Sequence, residues 1–415
     1  MAGGLAAVVL AAGKSTRMVT DLPKVLHEVC GRPMLAYVLE ACRKVGVQKI
    51  LVVVGYRKDD VINAFAGQDD IIWIEQKEQR GTGHAVMMCE EELRKGGWQD
   101  TLVLCGDGPL ISDKVLGTVV EKHRAENASA TLATSVLPDP TGYGRIIRDA
   151  YGNLQGIIEQ SDCTPEQKSI KEINPSYYCF RTEHLLDALH NVKPNNVKNE
   201  YYLTDALHIM ISRGLKAVAI TAVAPEDVIS VNSRQQLSLV SKVMQERIQD
   251  QLMSNGVTIV DPGNTWIDAR AQIGQDTVIH PFTYIHGNVK IGRHCSVGPF
   301  AYLREGTVLA DNVVVGVFTE VKNTVMGAGT RLRHLSYVGD TRTGENVNIG
   351  AGSIVANFDG KQIQHTEIGD NVYISNGAIL VAPLNLPCGA HVAPGSVVYG
   401  TETNHRGEQN HAKPE

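Results

Sequence analysis

W-I-D-A-R-A-Q-I-G-Q-D-T-V-I-H-P-F-T-Y-I-H-G-N-V-K-I-G-R-H-C-S-V-G, residues 266–298, carries an aliphatic residue at every sixth position: Ile267, Ile273, Ile279, Ile285, Ile291 and Val297. The beat continues without a slip through Leu303, Leu309, Val315 and Val321. It resumes at Met326, Leu332 and Val338, again at Ile349 and Val355, and finally at Ile368, Ile374, Leu380, Leu386, Val392 and Val398. Gly274, Gly292, Gly298 and Gly316 each follow one of these positions. A period of six suits neither the turn of an α-helix nor the alternation of a half-buried strand. It suits a parallel β-helix of hexapeptide repeats, in which one aliphatic residue per face points into a shared core. The interruption from Asn357 to His365 is expected as a loop projecting from the stack. Such a fold has no large interior cavity, so its function must come from outer faces, loops or subunit contacts.

Upstream, Leu237, Val240, Met244, Ile248 and Leu252 fall on one helical face. They predict a helix over 235–256 that is either a linker or the last helix of a preceding domain. Before it, buried-strand candidates alternate with amphipathic stretches. The strands are Leu5 to Leu10, Lys49 to Val54, Ile71 to Ile74, Thr101 to Leu104 and Ala130 to Thr134, with helical spacing from Met34 to Val45. Strand, helix, strand is the pattern of a doubly wound α/β sheet, whose ligands bind beyond the carboxyl ends of the strands. The expected order is an α/β domain over 1–234, the helix, a β-helix over 257–400 and a polar, disordered tail over 401–415.

The 415 residues allow two or three domains, and 43% hydrophobic composition makes a buried core easy to build. A net charge of −6 without a long basic run gives no sign of nucleic-acid binding. The eight cysteines are scattered, with no C-x-x-C pair, which argues against a disulfide framework or a zinc site and for a reducing compartment, the cytoplasm. The apolar run from Leu5 to Ala12 is too short to span a bilayer and has no basic leader, so no membrane role is expected.

The first strand runs straight into L-A-A-G-K-S-T-R-M, Leu10 to Met18, followed by Pro23-Lys24. Small residues at Ala11, Ala12 and Gly13 let backbone N–H groups approach an anion, and Lys14, Arg17 and Lys24 add positive charge. A nucleoside triphosphate needs both. The loop is neither a Walker A motif nor a dinucleotide fingerprint.

This loop, with G-R-P-M at 31–34, resembles the sugar nucleotidyltransferase family. More closely, the chain resembles bacterial bifunctional enzymes that pair an N-acetylglucosamine-1-phosphate uridylyltransferase with a glucosamine-1-phosphate acetyltransferase. The matching runs continue with Q-K-E-Q-R-G-T-G-H-A at 76–85, G-D-G-P-L-I at 106–111, G-Y-G-R-I at 142–146, E-Y-Y-L-T-D at 200–205 and V-N-S-R at 231–234. The resemblance implies a Rossmann-like nucleotidyltransferase domain followed by a left-handed β-helix. It places the triphosphate on Leu10, Ala11, Ala12, Gly13, Arg17 and Lys24, and uracil on Gln76, Gly81 and Thr82. It places Mg²⁺ on Asp107 and Asn232, and the N-acetylglucosamine moiety on Gly144, Glu159 and Asn174. Taken alone, Gln76 reads as an exposed polar residue at a strand end, and Asp107 as a turn or cap aspartate. A carboxylate just past a strand's carboxyl end is also a natural Mg²⁺ ligand. Because a sugar phosphate is already an anionic nucleophile, no general base is expected. Mg²⁺, Lys24 and Arg17 would neutralise the α-phosphate as pyrophosphate leaves.

For the β-helix the resemblance implies a homotrimer that uses acetyl-CoA, with sites between subunits. Arg304 and Lys322 correspond to cations for the sugar phosphate, and His334 to the general base. Tyr337, Asn348, Ala351, Asn357 and Phe358 correspond to substrate contacts. An amine attacking a thioester must lose a proton, which imidazole accepts near neutral pH. Taken alone, His334 reads as a surface histidine. Ile363 stands where the family has a lysine, Ser375-Asn376 replaces its G-S, and residues 401–415 lack its C-terminal extension. Those departures suit a second reading, a monofunctional uridylyltransferase with a trimerising β-helix. A silent sugar-nucleotide sensor is a third, opposed by the intact Arg17, Lys24, Asp107 and Asn232.

Overall fold

β1 (Leu5–Leu10) reads L-A-A-V-V-L and is buried along nearly its whole length. A strand apolar on both faces needs cover on both faces and so belongs in the middle of a sheet. The computed structural model, which describes residues 4–14 and 16–400, places it there. The other strands of this sheet are β2 (Lys49–Val54), β3 (Ile71–Glu75), β4 (Asp100–Cys105), β5 (Ala130–Val136), β6 (Gly144–Arg148), β7 (Leu154–Ile158), β8 (Glu172–Arg181) and β9 (Ala217–Thr221). Their order is β9–β5–β8–β4–β1–β2–β3, with β6 paired to both β8 and β7. β3, β2, β1 and β4 run parallel, whereas β8 runs antiparallel to β4, β5 and β6.

Alternate residues of β1 enter different cores. Ala7 and Val9 pack with Leu35, Val38 and Leu39 of the helix Met34–Lys44 and with Leu116 and Val119 of the helix Asp113–Ala125. Ala6 and Val8 pack on the other face with Leu185 and Leu186 of Thr182–Leu189 and with Ala206, Leu207 and Met210 of Leu203–Ser212. Because the chain leaves β1 towards β2 on one side and later returns to β4 on the other, the carboxyl ends of β1 and β4 flank a topological switch point.

By its packing the chain divides into units 1–243 and 244–415, and the division falls inside the helix Arg234–Ser254. Among the described residues of the second unit, 23 short strands form three parallel sheets of eight, eight and seven, a left-handed β-helix of hexapeptide repeats. Its periodic residues make one core, from Ile267, Ile279 and Ile285 through Val315 and Val338 to Ile374, Leu380 and Val392. In the first coils, residues pair with those 18 positions on, as in Trp266↔Tyr284, Gln272↔Lys290 and Val278↔Ser296.

The middle coils are shorter, and the last ones return to 18, as in Thr366↔Leu384 and Tyr373↔His391. Val308↔Val325, Glu320↔Tyr337 and Arg331↔Asn348 are 17 apart. One corner has lost a residue twice, between Val321 and Met326 and between Val338 and the buried, polar Thr343. At the same corner one coil later, Asn357–His365 loops out, closed by a bridge between Phe358 and Ile363. The first strand of the sheet that begins at Trp266–Ile267 is capped by side chains: Gln245 donates to the Ile267 carbonyl and accepts from its N–H at 3.0 Å, and Gln249 donates to Thr265 O at 2.8 Å. Those amides cover an edge that would otherwise be unpaired.

Among the described residues all eight cysteines are free, and no helix is long and apolar enough to cross a membrane. The expected tail, 401–415, lies outside the described residues.

Candidate active sites

The turn after β1 is pinned by backbone hydrogen bonds to the neighbouring strand. Ala11 N–H bonds Val53 O at 2.9 Å, and the Ala12 carbonyl accepts from Tyr56 N at 3.2 Å, which pins the loop to the end of β2. A Cβ added at Gly13 would meet nothing within 4 Å, so neither packing nor a left-handed backbone calls for glycine there. That open side leaves room for an outside group to approach the backbone. Lys14 lies over the Tyr56 ring, 5.4 Å from its centroid.

This loop forms one wall of a cavity of about 340 Å³ that gathers residues from distant parts of the chain. Leu10, Ala11, Ala12, Gly13, Arg17, Lys24, Gln76, Gly81, Thr82, Asp107 and Asn232 all line it, which brings together every residue expected for triphosphate, uracil and metal. Asp107 follows β4, and its carbonyl accepts from Val231 N at 3.0 Å, which docks V-N-S-R beside G-D-G. Asn232 Nδ2 donates to Ser230 O at 3.3 Å, leaving Oδ1 facing the cavity. There Oδ1 accepts from Lys24 Nζ at 2.7 Å and from Arg17 Nη2 at 2.9 Å. Lys24 Nζ also forms an ion pair with Asp107 Oδ2. One ammonium thus sits between the two oxygens expected to hold a divalent ion.

Two hard oxygen donors that already converge on a cation fit Mg²⁺, which completes its shell with water and phosphate oxygens. Among the described residues no group of three or more His, Cys, Asp or Glu is placed to hold a metal without such help.

Gln76, which alone reads as exposed, is only 3% exposed. Its Nε2 donates to Gly81 O at 3.2 Å and to His84 Nδ1 at 2.9 Å, which fixes the orientation of the amide on the cavity wall. Burial and then Arg80 hold the His84 pKa below its ordinary value, consistent with a neutral, accepting Nδ1. Gly81 has φ 108°, and a Cβ there would stand 2.5 Å from Tyr201 O, so this turn requires glycine. Thr82 Oγ1 accepts from Leu203 N at 3.1 Å, tying G-T-G-H-A to E-Y-Y-L-T-D.

A second cavity of about 180 Å³ shares Leu10, Thr82, Cys105 and Glu200 with the first and is lined by Glu159. Burial raises the Glu159 pKa, opposed by the Thr204 hydroxyl, which donates to Oε1 at 3.2 Å. Gly144 stands behind its wall: a Cβ there would lie 2.9 Å from Ile157 Cγ2 and 3.6 Å from Glu159 Oε2, and Gly144 itself does not line the cavity. Asn174 pairs with Gly144 in the ladder between β8 and β6. Its side chain is spent inside the protein, donating to Tyr178 Oη at 2.6 Å and accepting from Ser176 N at 3.0 Å. Tyr178, not Asn174, lines the cavity. Sequence reasoning also passed over Cys105, at the junction of the two cavities, whose thiol burial pushes up to about 12. Glu200, Tyr202 and Thr204 of E-Y-Y-L-T-D also line the second cavity, a role that no local pattern in the sequence marks.

On the β-helix, Arg304, Lys322 and Tyr337 stand on successive coils of one sheet. The register pairs Glu320 with Tyr337 and Lys322 with Gly339, and Arg304 Nη1 donates to Glu320 Oε1 at 2.8 Å. His334 ends a strand of the neighbouring sheet (Arg331–His334), which pairs with Asn348–Ile349. His334 is exposed. Ala351 N–H donates to Asn376 Oδ1 at 2.9 Å, so the departure at Asn376 has a role as a coil-to-coil tie. Asn357 is buried at the shortened corner, and Phe358 stands exposed on the loop.

Residues 7–166 match the family model of the MobA-like NTP transferase domain, and 270–305 match the bacterial transferase hexapeptide repeat. The chain is 42% identical to the bifunctional protein GlmU of Pelotomaculum thermopropionicum, over 92% of this chain and 90% of that protein. It is 41% identical to the bifunctional protein GlmU of Geobacillus sp. WCH70, over 94% and 92%, and 40% identical to that of Listeria monocytogenes over the same shares. With such identity along both halves, the chain belongs to the bifunctional GlmU family of transferases.

Proposed function

We propose that the first unit transfers uridylyl from UTP to N-acetylglucosamine 1-phosphate with Mg²⁺, and that the β-helix, as a homotrimer, acetylates glucosamine 1-phosphate from acetyl-CoA in the cytoplasm. A member of this family is an enzyme of UDP-N-acetylglucosamine synthesis, combining uridylyl transfer with acetyl transfer. The observation that carries the residue assignment is the meeting of Asp107 and Asn232 on Lys24 Nζ beside the open Gly13 turn.

In this reading Gln76 and the Gly81–Thr82 turn orient the base, and the backbone of Ala11 to Gly13 cradles the phosphates. Asp107 and Asn232 would hold Mg²⁺, which supplies charge neutralisation on the phosphate oxygens. Lys24 and Arg17 swing from Asn232 onto the α-phosphate, where negative charge grows as pyrophosphate departs in line. The sugar phosphate attacks from the Glu159 side, and no residue need take a proton. On the β-helix, Arg304 and Lys322 seat a sugar phosphate, and His334 takes the proton of the attacking amine.

The test uses the whole chain. Pyrophosphate release from UTP, Mg²⁺ and N-acetylglucosamine 1-phosphate is expected, and Asp107→Ala should abolish it while the protein stays folded. Release of CoA from acetyl-CoA and glucosamine 1-phosphate is expected, and is lost in His334→Ala. Near-normal pyrophosphate release in folded Asp107→Ala would overturn the first assignment. CoA release absent from the wild type would reduce the β-helix to a scaffold.

A further inference from the structure

Asp340 closes the run H-L-S-Y-V-G-D, directly after the strand Tyr337–Gly339, and is only 3% exposed. It sits at the corner where the coil is one residue short, with a left-handed φ of 51°. Its Oδ1 accepts from Asn323 Nδ2 at 2.6 Å. Its Oδ2 accepts from Asn357 Nδ2, and Lys322 Nζ lies 3.6 Å from the same oxygen. Asn357 Nδ2 also reaches Tyr337 Oη at 3.3 Å. A buried carboxylate is costly unless it is paired and hydrogen-bonded. Here both oxygens are taken, by side chains from the coils on either side. Gly339 makes the space: a Cβ there would stand 2.5 Å from Tyr337 Oη and 2.7 Å from Asn357 Nδ2.

We propose that Asp340 is a positioning residue of the acetyl-transfer site, holding the Lys322 ammonium and the Asn357 amide where an acceptor sugar phosphate needs them. This rests on the β-helix being the acetyltransferase. Asp340 itself touches no substrate. Without its charge Lys322, whose side chain is 27% exposed, regains rotamer freedom. Asn357 loses the anchor that ties the start of the 357–365 loop to the coil before it.

Asp340→Asn keeps the shape but removes the charge and sets an NH₂ group against Asn323 or Asn357. In the full chain, CoA release is followed with glucosamine 1-phosphate and acetyl-CoA varied in turn, with uridylyl transfer as the control for folded protein. The KM for glucosamine 1-phosphate should rise about tenfold or more, as for other lost positioning contacts. The KM for acetyl-CoA should stay within about twofold, and uridylyl transfer should be unchanged. If Asp340 acts through Lys322, Asp340→Asn added to Lys322→Met costs little beyond Lys322→Met alone. Unaltered kinetic constants with a lowered melting temperature, or fully additive losses, would overturn the proposal and leave Asp340 a stack-stabilising residue. Should Asp340→Asn not accumulate in folded form, Asp340→Glu, which displaces the carboxylate by one methylene, must show the same selective rise. A wild type that releases pyrophosphate but no CoA sinks the acetyltransferase reading and this proposal with it. An active wild type with unaltered variants sinks this proposal alone.

Discussion

Lys24→Met should separate metal binding from turnover and move them in opposite directions. In the ligand-free protein the Lys24 ammonium bonds the two oxygens, Asp107 Oδ2 and Asn232 Oδ1, that are proposed to hold the metal. A divalent ion entering about 4 Å from that ammonium would be opposed by about 8 kcal/mol at an effective dielectric of 20. The lysine must therefore withdraw first. Withdrawal breaks two charge-assisted contacts, worth about 1.5–3 kcal/mol each when well formed. The side chains are 14% and 20% exposed, so water recovers part of that, and a net cost of about 2 kcal/mol is reasonable. Removing the lysine should then tighten Mn²⁺ binding to the nucleotide-free protein about thirtyfold. The same change should cost about 2–4 kcal/mol of transition-state stabilisation, roughly thirty- to thousandfold in kcat/KM for uridylyl transfer. Free Mn²⁺ is read by electron paramagnetic resonance during titration of wild type and variant, alongside pyrophosphate release. A folded Lys24→Met that binds Mn²⁺ no more tightly than wild type would refute the placement of the metal between Asp107 and Asn232.

Gln76 depends on a neutral His84 as acceptor, and burial holds the His84 pKa below its ordinary value of 6.5. Below pH 6.5 the unfolded chain binds the proton first, so the stabilising preference for neutral His84 is full above 6.5 and shrinks as pH falls towards the folded-state pKa. At that lower pKa Nδ1 becomes a donor, and the KM for UTP should climb; a profile that stays flat on the acid side would refute the link, and His84→Gln should remove the climb. Gly81→Ala forces a Cβ into a left-handed position against Tyr201 O, and should cost about 1–3 kcal/mol in thermal unfolding as well as weakening UTP binding. Leu303→Ala empties a fully buried position of the stack and should cost about 2–5 kcal/mol, read as a lower melting temperature of the β-helix with uridylyl transfer intact.

Regular elements were the legible part. β1 and β2 are continuous aliphatic runs, and the six-residue beat exposes a solenoid directly, because each position reports one core-facing side chain. β8 was not legible: Pro175 and Ser176 break its pattern where its pairing with β5 shifts register between Ile173 and Tyr177. Thr343 escaped because a polar residue holds a core position that the aliphatic pattern leaves blank. In the first site, the residues that meet at Lys24 could be named from the resemblance, but their convergence could not. It depends on a backbone hydrogen bond from Val231 to Asp107 that no local pattern encodes. Cys105 and Tyr178 look like ordinary core residues in the sequence, and only the cavities beside them give them another meaning.

Both proposed sites lie where a repeating structure loses its regularity, and there is a physical reason for this. A strand in mid-sheet, or a full 18-residue coil, satisfies its backbone with its neighbours and sends side chains alternately into core and solvent. Such an arrangement spreads functional groups evenly and brings few of them together. In the first unit the sheet order reverses beside β1, so the loops after β1 and β4 diverge and leave a crevice for Gly13, Lys24 and Asp107. In the β-helix two successive coils each drop one residue at the same corner, and the third inserts a loop there. At this corner the side chains of Asn323, Asp340 and Asn357, one from each of three successive coils, meet through hydrogen bonds to Asp340. The two shortened spacings of the hexapeptide beat, Val321 to Met326 and Val338 to Thr343, with the inserted loop that follows, therefore mark the corner on which Lys322 and Asn357 are held.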